Sequence, residues 1–306
     1  MNDGDAAPPF RSGFVTVVGR PNVGKSTLVN RLMGRKVAIV SDKPQTTRNR
    51  ILAVLNLPRG QVVLFDTPGI HKPTHRMNRR MVATAERSLG QVDVVLWLVD
   101  VSEALGPGDR YIQGRLRQAG RPVLLGVNKI DTVSKPVLLP FIDRYRRLLD
   151  FAEIIPVSAL TGENVELVAE RLLAHLPEGE ALYPEDFISD LPERFFVAEL
   201  IREALLHRTR QEIPYSTGVV IDSFQEGQTL VRIEASILVE RGSQKAIVIG
   251  KAGAMLKAVG TQARKEIEAF LGTKVYLGLF VKVREAWRED PRMLERMGLA
   301  GSRGSG

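Results

Sequence analysis

An apolar run, Phe14-Val15-Thr16-Val17-Val18, leads straight into Gly19-Arg20-Pro21-Asn22-Val23-Gly24-Lys25-Ser26. This G-x-x-x-x-G-K-S spacing admits few folds: a strand must end, a glycine-bearing loop must turn tightly, and a helix must begin. The pattern Thr27-Leu28-Val29-Asn30-Arg31-Leu32 supplies the helix. Such a loop turns several backbone N–H groups inward, and together with the helix N-terminus and one lysine they cradle a polyphosphate. Asn22, Val23, Gly24, Lys25, Ser26 and Thr27 are the expected contacts.

Two further motifs follow strand-like runs in the order a nucleotide site needs. Val62-Val63-Leu64-Phe65 runs into Asp66-Thr67-Pro68-Gly69, a D-x-x-G. At a strand end, Asp66 is expected to hold Mg²⁺ through water and Ser26 to offer the same ion its hydroxyl. The Gly69 N–H is expected at the terminal phosphate. Val123-Leu124-Leu125-Gly126-Val127 then ends in Asn128-Lys129-Ile130-Asp131, an N-K-x-D. Guanine presents N1–H and an exocyclic amine side by side, which one carboxylate accepts as a bidentate, charge-assisted pair. Adenine lacks both donors on that edge, so Asp131 would be left unpaired against ATP. Asn128 either reaches the other edge of the base or ties loops together, and the Lys129 stem lies along the ring. Ile154-Ile155-Pro156-Val157 leads to Ser158-Ala159-Leu160, whose N–H groups are expected to meet guanine O6. Each motif closes an apolar run, as in the crevice at the carboxyl ends of a parallel sheet. GTP or GDP with Mg²⁺ is the expected cofactor.

These residues resemble the translation-factor-like branch of P-loop GTPases, and within it the Era and Der/MnmE group of bacterial GTPases. The resemblance implies hydrolysis of GTP to GDP and phosphate, with a slow intrinsic rate. It also implies that, in Pro44-Gln45-Thr46-Thr47-Arg48, the threonine before the arginine completes the Mg²⁺ shell and senses the γ-phosphate. That is Thr47 rather than Thr46; Lys25, Thr47 and Gly69 would carry the catalytic contacts. Ile70 stands where Ras-like enzymes place a water-orienting glutamine. A butyl side chain cannot orient water, so no general base is nominated. Asn22 resembles the asparagine that, in some relatives, helps hold a potassium ion near the phosphates.

At 306 residues the chain has room for two domains. It has no cysteine, which excludes disulfides and thiolate metal sites and is compatible with a reducing cytoplasm. The start, residues 1–13, is polar with no apolar signal core. The longest apolar stretch, 92–101, is interrupted by Asp93 and Asp100 and is too short to span a bilayer. Nothing here calls for membrane contact, although the sequence does not exclude it at the periphery.

A net charge of +8 favours a polyanionic partner. Residues 183–240 carry 5 basic and 11 acidic side chains, whereas 241–288 carry 10 basic and 3 acidic. This switch is the pattern of one basic face on an acidic module. After a Pro-, Gly- and acid-rich connector at 176–184, residues 194–206 have helical apolar spacing, and 217–224 and 229–239 read as strands. Gly250-Lys251-Ala252-Gly253 opens an amphipathic stretch to Leu271, and a last strand is expected over 275–283. This order resembles a type II KH domain with Gly250 to Gly253 as its G-x-x-G loop. Two glycines let an RNA backbone pass close, a helix N-terminus offers N–H groups, and Lys251 adds charge. Val248, Ile249 and Met255 would line the base groove, with Lys245, Ala252 and Lys257 also at the RNA. Residues 246–249 are β-branched-rich and alone read as strand, yet the KH resemblance makes them helix, with Ser243 as N-cap.

The fold expected is thus an α/β P-loop GTPase domain, mostly parallel with helices on both faces, followed by an α+β type II KH domain. The boundaries read as a flexible leader 1–12, a GTPase domain 13–180, a linker 181–192, a KH domain 193–290 and a C-terminal tail 291–306. One P-loop domain followed by one KH domain is the Era arrangement, and no second G-x-x-x-x-G-K occurs. That resemblance implies binding to the 3′ end of 16S ribosomal RNA during maturation of the small ribosomal subunit, by a cytoplasmic monomer. The residues themselves point to single-stranded RNA. An RNA chaperone whose nucleotide only stabilises it is the other reading. His71 and His75 lack carboxylate or cysteine partners at ligand spacing. His175 and His207 fall in apolar helical patterns, and Trp287 either stacks a base or packs in the core.

Overall fold

The computed structural model describes residues 9–69 and 76–299. The chain forms two compact units that interleave along the sequence. The first comprises Met1–Ala38, Arg50–Lys72 and Val82–Asp190, and the second Ile39–Asn49, Pro73–Met81 and Leu191–Gly306.

The first unit begins with strand β1 (Arg11–Val18) and helix α1 (Lys25–Met33), followed by β2 (Ile51–Leu57) and β3 (Gly60–Asp66). Helix α2 (Arg76–Gly90), whose residues up to Met81 belong to the second unit, leads to β4 (Val94–Asp100), α3 (Pro107–Ala119), β5 (Val123–Asn128), α4 (Lys135–Arg146), β6 (Glu153–Pro156) and α5 (Val165–Ala174). The sheet order is β2-β3-β1-β4-β5-β6, parallel except for β2. Central strands are apolar throughout because helices cover both faces. Along β4, Val94, Leu96 and Leu98 enter the core shared with α1 and α5. Val95, Trp97 and Val99 enter the opposite core, with Ile112, Phe141 and Tyr145. A period of two thus sends one strand into two layers. From β1 the chain runs out to β2 and β3 on one side and then crosses to β4 on the other, a topological switch that opens a crevice beyond the carboxyl end of β1.

Both margins of this unit are more ordered than the sequence suggests. β1 starts at Arg11, inside the expected leader, and the Arg11 guanidinium donates to the Leu176 carbonyl at 2.6 Å. Residues 181–190, expected as linker, pack along β2. Val54 N–H donates to Ile188 O at 2.9 Å, and the Tyr183 and Phe187 rings stack at 4.7 Å.

The second unit holds α6 (Glu193–Arg208), α7 (Ile213–Ser216), β7 (Gly218–Glu226), β8 (Leu230–Val239), α8 (Gly242–Ile249), α9 (Ala254–Leu271), β9 (Lys274–Val283) and α10 (Pro291–Arg296). The sheet order is β7-β8-β9. β7 and β8 form an antiparallel hairpin, whereas β8 and β9 are parallel and need the α8–α9 crossover between them. One sheet face packs on α6 and α9 through Val197, Leu200, Ile233, Ile237, Val259 and Ile267. On the other face, Val220 and Leu238 are covered by Met77, Met81, Trp287, Met293, Leu294 and Met297. Trp287 is therefore core, with its Nε1–H donating to Ser216 O at 3.0 Å. The expected tail is corrected over 291–299, which form α10 and a buried apolar cap.

Residues 39–49 are held in this unit by many polar ties. The Val40 N–H donates to Glu203 Oε1 at 2.9 Å, and Val40 O lies 2.9 Å from His207 Nε2. Arg202, itself buried and paired with Glu199, donates to Thr46 O. Arg48 donates to Thr217 O at 2.9 Å and Pro214 O at 3.3 Å beside the Trp287 ring. Burial, and then the neighbouring Arg202 charge, push the Arg48 guanidinium down to about 9.

Candidate functional site

The loop after β1 turns where expected. Gly24 caps α1 with φ of 99°, a conformation that penalises any Cβ, and a Cβ there would come within 2.3 Å of Asn128 Nδ2. Glycine is required by both backbone and neighbour. Asn22 precedes it in left-handed conformation, with φ of 66°. Lys25 Nζ lies over the loop, donating to Gly19 O at 3.2 Å and Arg20 O at 2.9 Å. Ser26 Oγ donates to Asp66 Oδ2 at 2.6 Å, so the hydroxyl and the carboxylate expected at one Mg²⁺ are adjacent. These are hard oxygen donors of the type that ion takes. Gly69 sits against the loop, where a Cβ would meet Pro21 N at 2.9 Å. Thr27 lies in the first turn of α1.

Burial pushes the Lys25 ammonium down from 10.5 to about 8, against the raising pull of Asp66. Between those values the unfolded chain binds more protons than the folded one, so the nucleotide-free fold gains stability as pH rises through that window. Phosphates placed beside the ammonium would restore the higher value, and binding above about pH 8 would then take up a proton. Triphosphate affinity should be flat below this pH and fall by up to about tenfold per unit above it. Calorimetry at about pH 9, in two buffers of different ionisation enthalpy, should register the uptake. Identical heats in both would assign the lowered value to another group.

Asn128 resolves the alternative left open by its sequence. Buried at the end of β5, it ties loops together: its Nδ2 donates to Val23 O at 2.7 Å and its Oδ1 accepts from Ala159 N–H at 2.9 Å. Ser158 Oγ donates to Asp131 Oδ1 at 2.5 Å and fixes that carboxylate. The phosphate loop, the N-K-x-D and the Ser158 loop thus form one bonded cluster. Two of the three loop N–H groups expected at guanine O6 already have protein acceptors: Ser158 donates to Glu163 O at 3.0 Å and Ala159 to Asn128. Leu160 is exposed. Lys129 adopts φ of 65°, and its Nζ pairs with Asp100 Oδ2 at 2.5 Å. Burial raises Asp100, but hydrogen bonds from Lys129 and Ser102 outweigh it and hold the carboxyl below its usual range. Sequence reasoning missed Asp100. The only signal was an acid closing an apolar strand, as Asp66 closes β3.

Thr47 groups with the second unit, among residues 39–49, whereas every other expected nucleotide contact lies in the first. Ile70, His71 and His75 lie outside the described residues. Among the described residues no group of three or more His, Cys, Asp and Glu is placed to hold a metal. His175 bonds Glu153 at 3.1 Å.

In the second unit, residues 246–249 are helical, as the KH resemblance implies. The expected N-cap is corrected: α8 starts two residues earlier, with Arg241 at the N-cap position, and Gln244 Oε1 accepts from the N–H groups of Glu240 and Arg241. Gly250 has φ of 73°, and a Cβ there would strike Met255 at 2.7 Å; Gly253 has φ of 77° and open space beside it. Lys251, Ala252 and Lys257 are exposed, and Lys245, Ile249 and Met255 half-buried. Val248 is fully buried in the core, so it cannot face RNA. Its neighbour Ile247 is the exposed apolar side chain of α8.

Comparison with known proteins matches both domains. Residues 14–129 match the family described as 50S ribosome-binding GTPase, and residues 212–288 match the KH domain. GTPase Era of Heliobacterium modesticaldum is 51% identical over 94% of this chain and 97% of its own length. That of Geobacter metallireducens is 50% identical over 95% and 98%. Crystal structures of Aquifex aeolicus Era bound to GDP and AlF4−, and of Era with MgGDPNP and nucleotides 1506–1542 of 16S ribosomal RNA, each superpose with TM-score 0.92. Both are 42% identical and cover 95% of this chain and 100% of the solved one. By sequence over nearly its whole length and by fold, the chain belongs to the GTPase Era family.

Proposed function

We propose that this chain is a GTP-hydrolysing switch that binds the 3′ end region of 16S ribosomal RNA through its KH domain and assists maturation of the small ribosomal subunit. The observation that carries the reading is Asn128, one buried side chain bonding both the phosphate loop and the Ser158 loop that fixes Asp131. A relative with this fold is solved with both MgGDPNP and 16S RNA, which supports the same pairing of ligands here. Lys25 brings a positive charge to the phosphates, and Ser26 with Asp66, joined by Thr47, would hold Mg²⁺. That ion, when bound, neutralises charge developing on the phosphate oxygens. Asp131 selects guanine. A potassium ion beside Asn22 enters the reading by resemblance. A monomer working on the ribosome belongs in the cytoplasm. No helix among the described residues is long and apolar enough to cross a membrane.

The test is RNA affinity measured with GTP, with GDP and without nucleotide. A switch requires the three to differ by about fivefold or more, and RNA must shift GTP affinity by the same factor. Three equal affinities would leave an RNA chaperone whose nucleotide site only stabilises it.

A further inference from the structure

Strand β9 lies at the edge of the second unit's sheet and alternates strictly. Val275, Leu277, Leu279 and Val281 face the core shared with α6 and α9, which places Lys274, Tyr276, Gly278, Phe280 and Lys282 on the opposite face. The apolar cap over Val220 and Leu238 covers only one end of that face. At the open end Tyr276 is 47% and Phe280 52% exposed. Two large rings left in water, on one face of one strand and about 13 Å apart by strand rise, contribute nothing to the core.

Three observations say what fits there. The Arg232 guanidinium, opposite Tyr276 in register, lies over its ring at 4.7 Å, so the platform already stacks one flat cation. Gly278 lies between the rings without backbone need: its φ is not positive, and a Cβ would meet nothing closer than Tyr276 Cε1 at 3.6 Å. Its effect is to keep the floor between the rings low. Lys274 and Lys282 flank the rings, and Arg296 adds a further cation. The acids on the strands of this face are Glu234 and Asp222, and α10 carries Glu295 beside Arg296; Lys282 and Arg296 pair with Asp222, which leaves Arg232 and Lys274 as the cations at the open end. Flat rings bordered by a cationic surplus are what an unpaired polynucleotide stacks on.

We propose that the outer face of β9 is a second RNA-binding surface, on which Tyr276 and Phe280 each stack an unpaired base while Arg232 and Lys274 hold the phosphates. The two helices that the G-x-x-G loop joins, α8 and α9, pack against the inner face of the same strand. Because β9 has a free edge, one RNA strand leaving the loop reaches the outer face by crossing a single strand. The proposal rests on the KH reading above and extends the bound RNA beyond the four nucleotides that a G-x-x-G loop clamps.

The test compares two RNAs on the full chain loaded with a GTP analogue. The long one is the 1506–1542 segment of 16S RNA seen with the relative. The short ones are single-stranded pieces of about six residues tiled across it, enough to fill the loop. Tyr276→Ser with Phe280→Ser should weaken the long RNA by about tenfold to a hundredfold per stacked base, and Phe280→Trp should retain it. Short-RNA affinity, melting temperature and GTP turnover without RNA should stay as in the parent. Photo-crosslinking of thiouridine-substituted long RNA should map to the peptide carrying residues 276–280. If the double variant binds the long RNA within twofold of the parent, the proposal is overturned and the rings await a protein partner or none. A parent that binds neither RNA overturns the KH reading itself, a different failure.

Discussion

Asp131→Asn is expected to weaken GTP roughly a hundredfold to a thousandfold, because two charge-assisted hydrogen bonds to guanine become one neutral, partly mismatched contact. The same change should improve binding of xanthosine triphosphate, whose base carries a carbonyl where guanine has its amine and so suits an amide donor. Ser158 already fixes one oxygen of this carboxylate at 2.5 Å, so the substitution acts on a positioned group rather than a mobile one. Asp131 is exposed, which keeps the effect on folding small. Competition binding of the two nucleotides reads the result directly. If the preference for guanine persists unchanged in the variant, Asp131 does not recognise the base.

Gly250→Asp with Gly253→Asp is expected to abolish RNA binding by the KH loop while basal GTP hydrolysis continues. Two carboxylates at the loop would repel the phosphate backbone, and both positions have φ near 75°, where side chains are strained. The two sites differ in what they tolerate. At Gly253 the added atoms meet open space, whereas at Gly250 a Cβ would collide with Met255. Gly253→Asp alone therefore avoids the collision and keeps only the backbone strain and the charge: it should lose most RNA affinity at a smaller cost in melting temperature than Gly250→Asp. Full RNA binding by that single variant would dismiss the loop as the contact.

The nucleotide site was legible because its chemistry demands particular residue types at fixed places. Only glycine fits Gly24, and only a carboxylate pairs with the guanine edge as Asp131 would. The order of these motifs, each following a strand, specifies the crevice at the carboxyl ends of the sheet. Asp100 was illegible because its role depends on a partner in another loop, Lys129, whose reach no spacing rule encodes. The burial of Val248, expected at the RNA groove, was illegible for a different reason. In a helix of eight residues rich in apolar side chains, the phase of the buried stripe is weakly determined. α10 was missed because Arg292, Glu295 and Arg296 alternate with Met293, Leu294 and Met297, which gives the segment the look of a solvated tail. The ties that hold residues 39–49 span sequence separations of more than 150 positions and leave no local signature.

The interleaving of the two units has an evolutionary corollary. Arg48, Met77 and Met81 precede residue 190, while Thr217, Trp287 and Met293, against which they pack, follow it. A recombination event that exchanged everything after the connector would import a KH module lacking part of its own interior. The halves are therefore poor cassettes for shuffling. Their pairing must be inherited as a block, with substitutions at residues 48 and 77 answerable to positions more than 160 residues downstream.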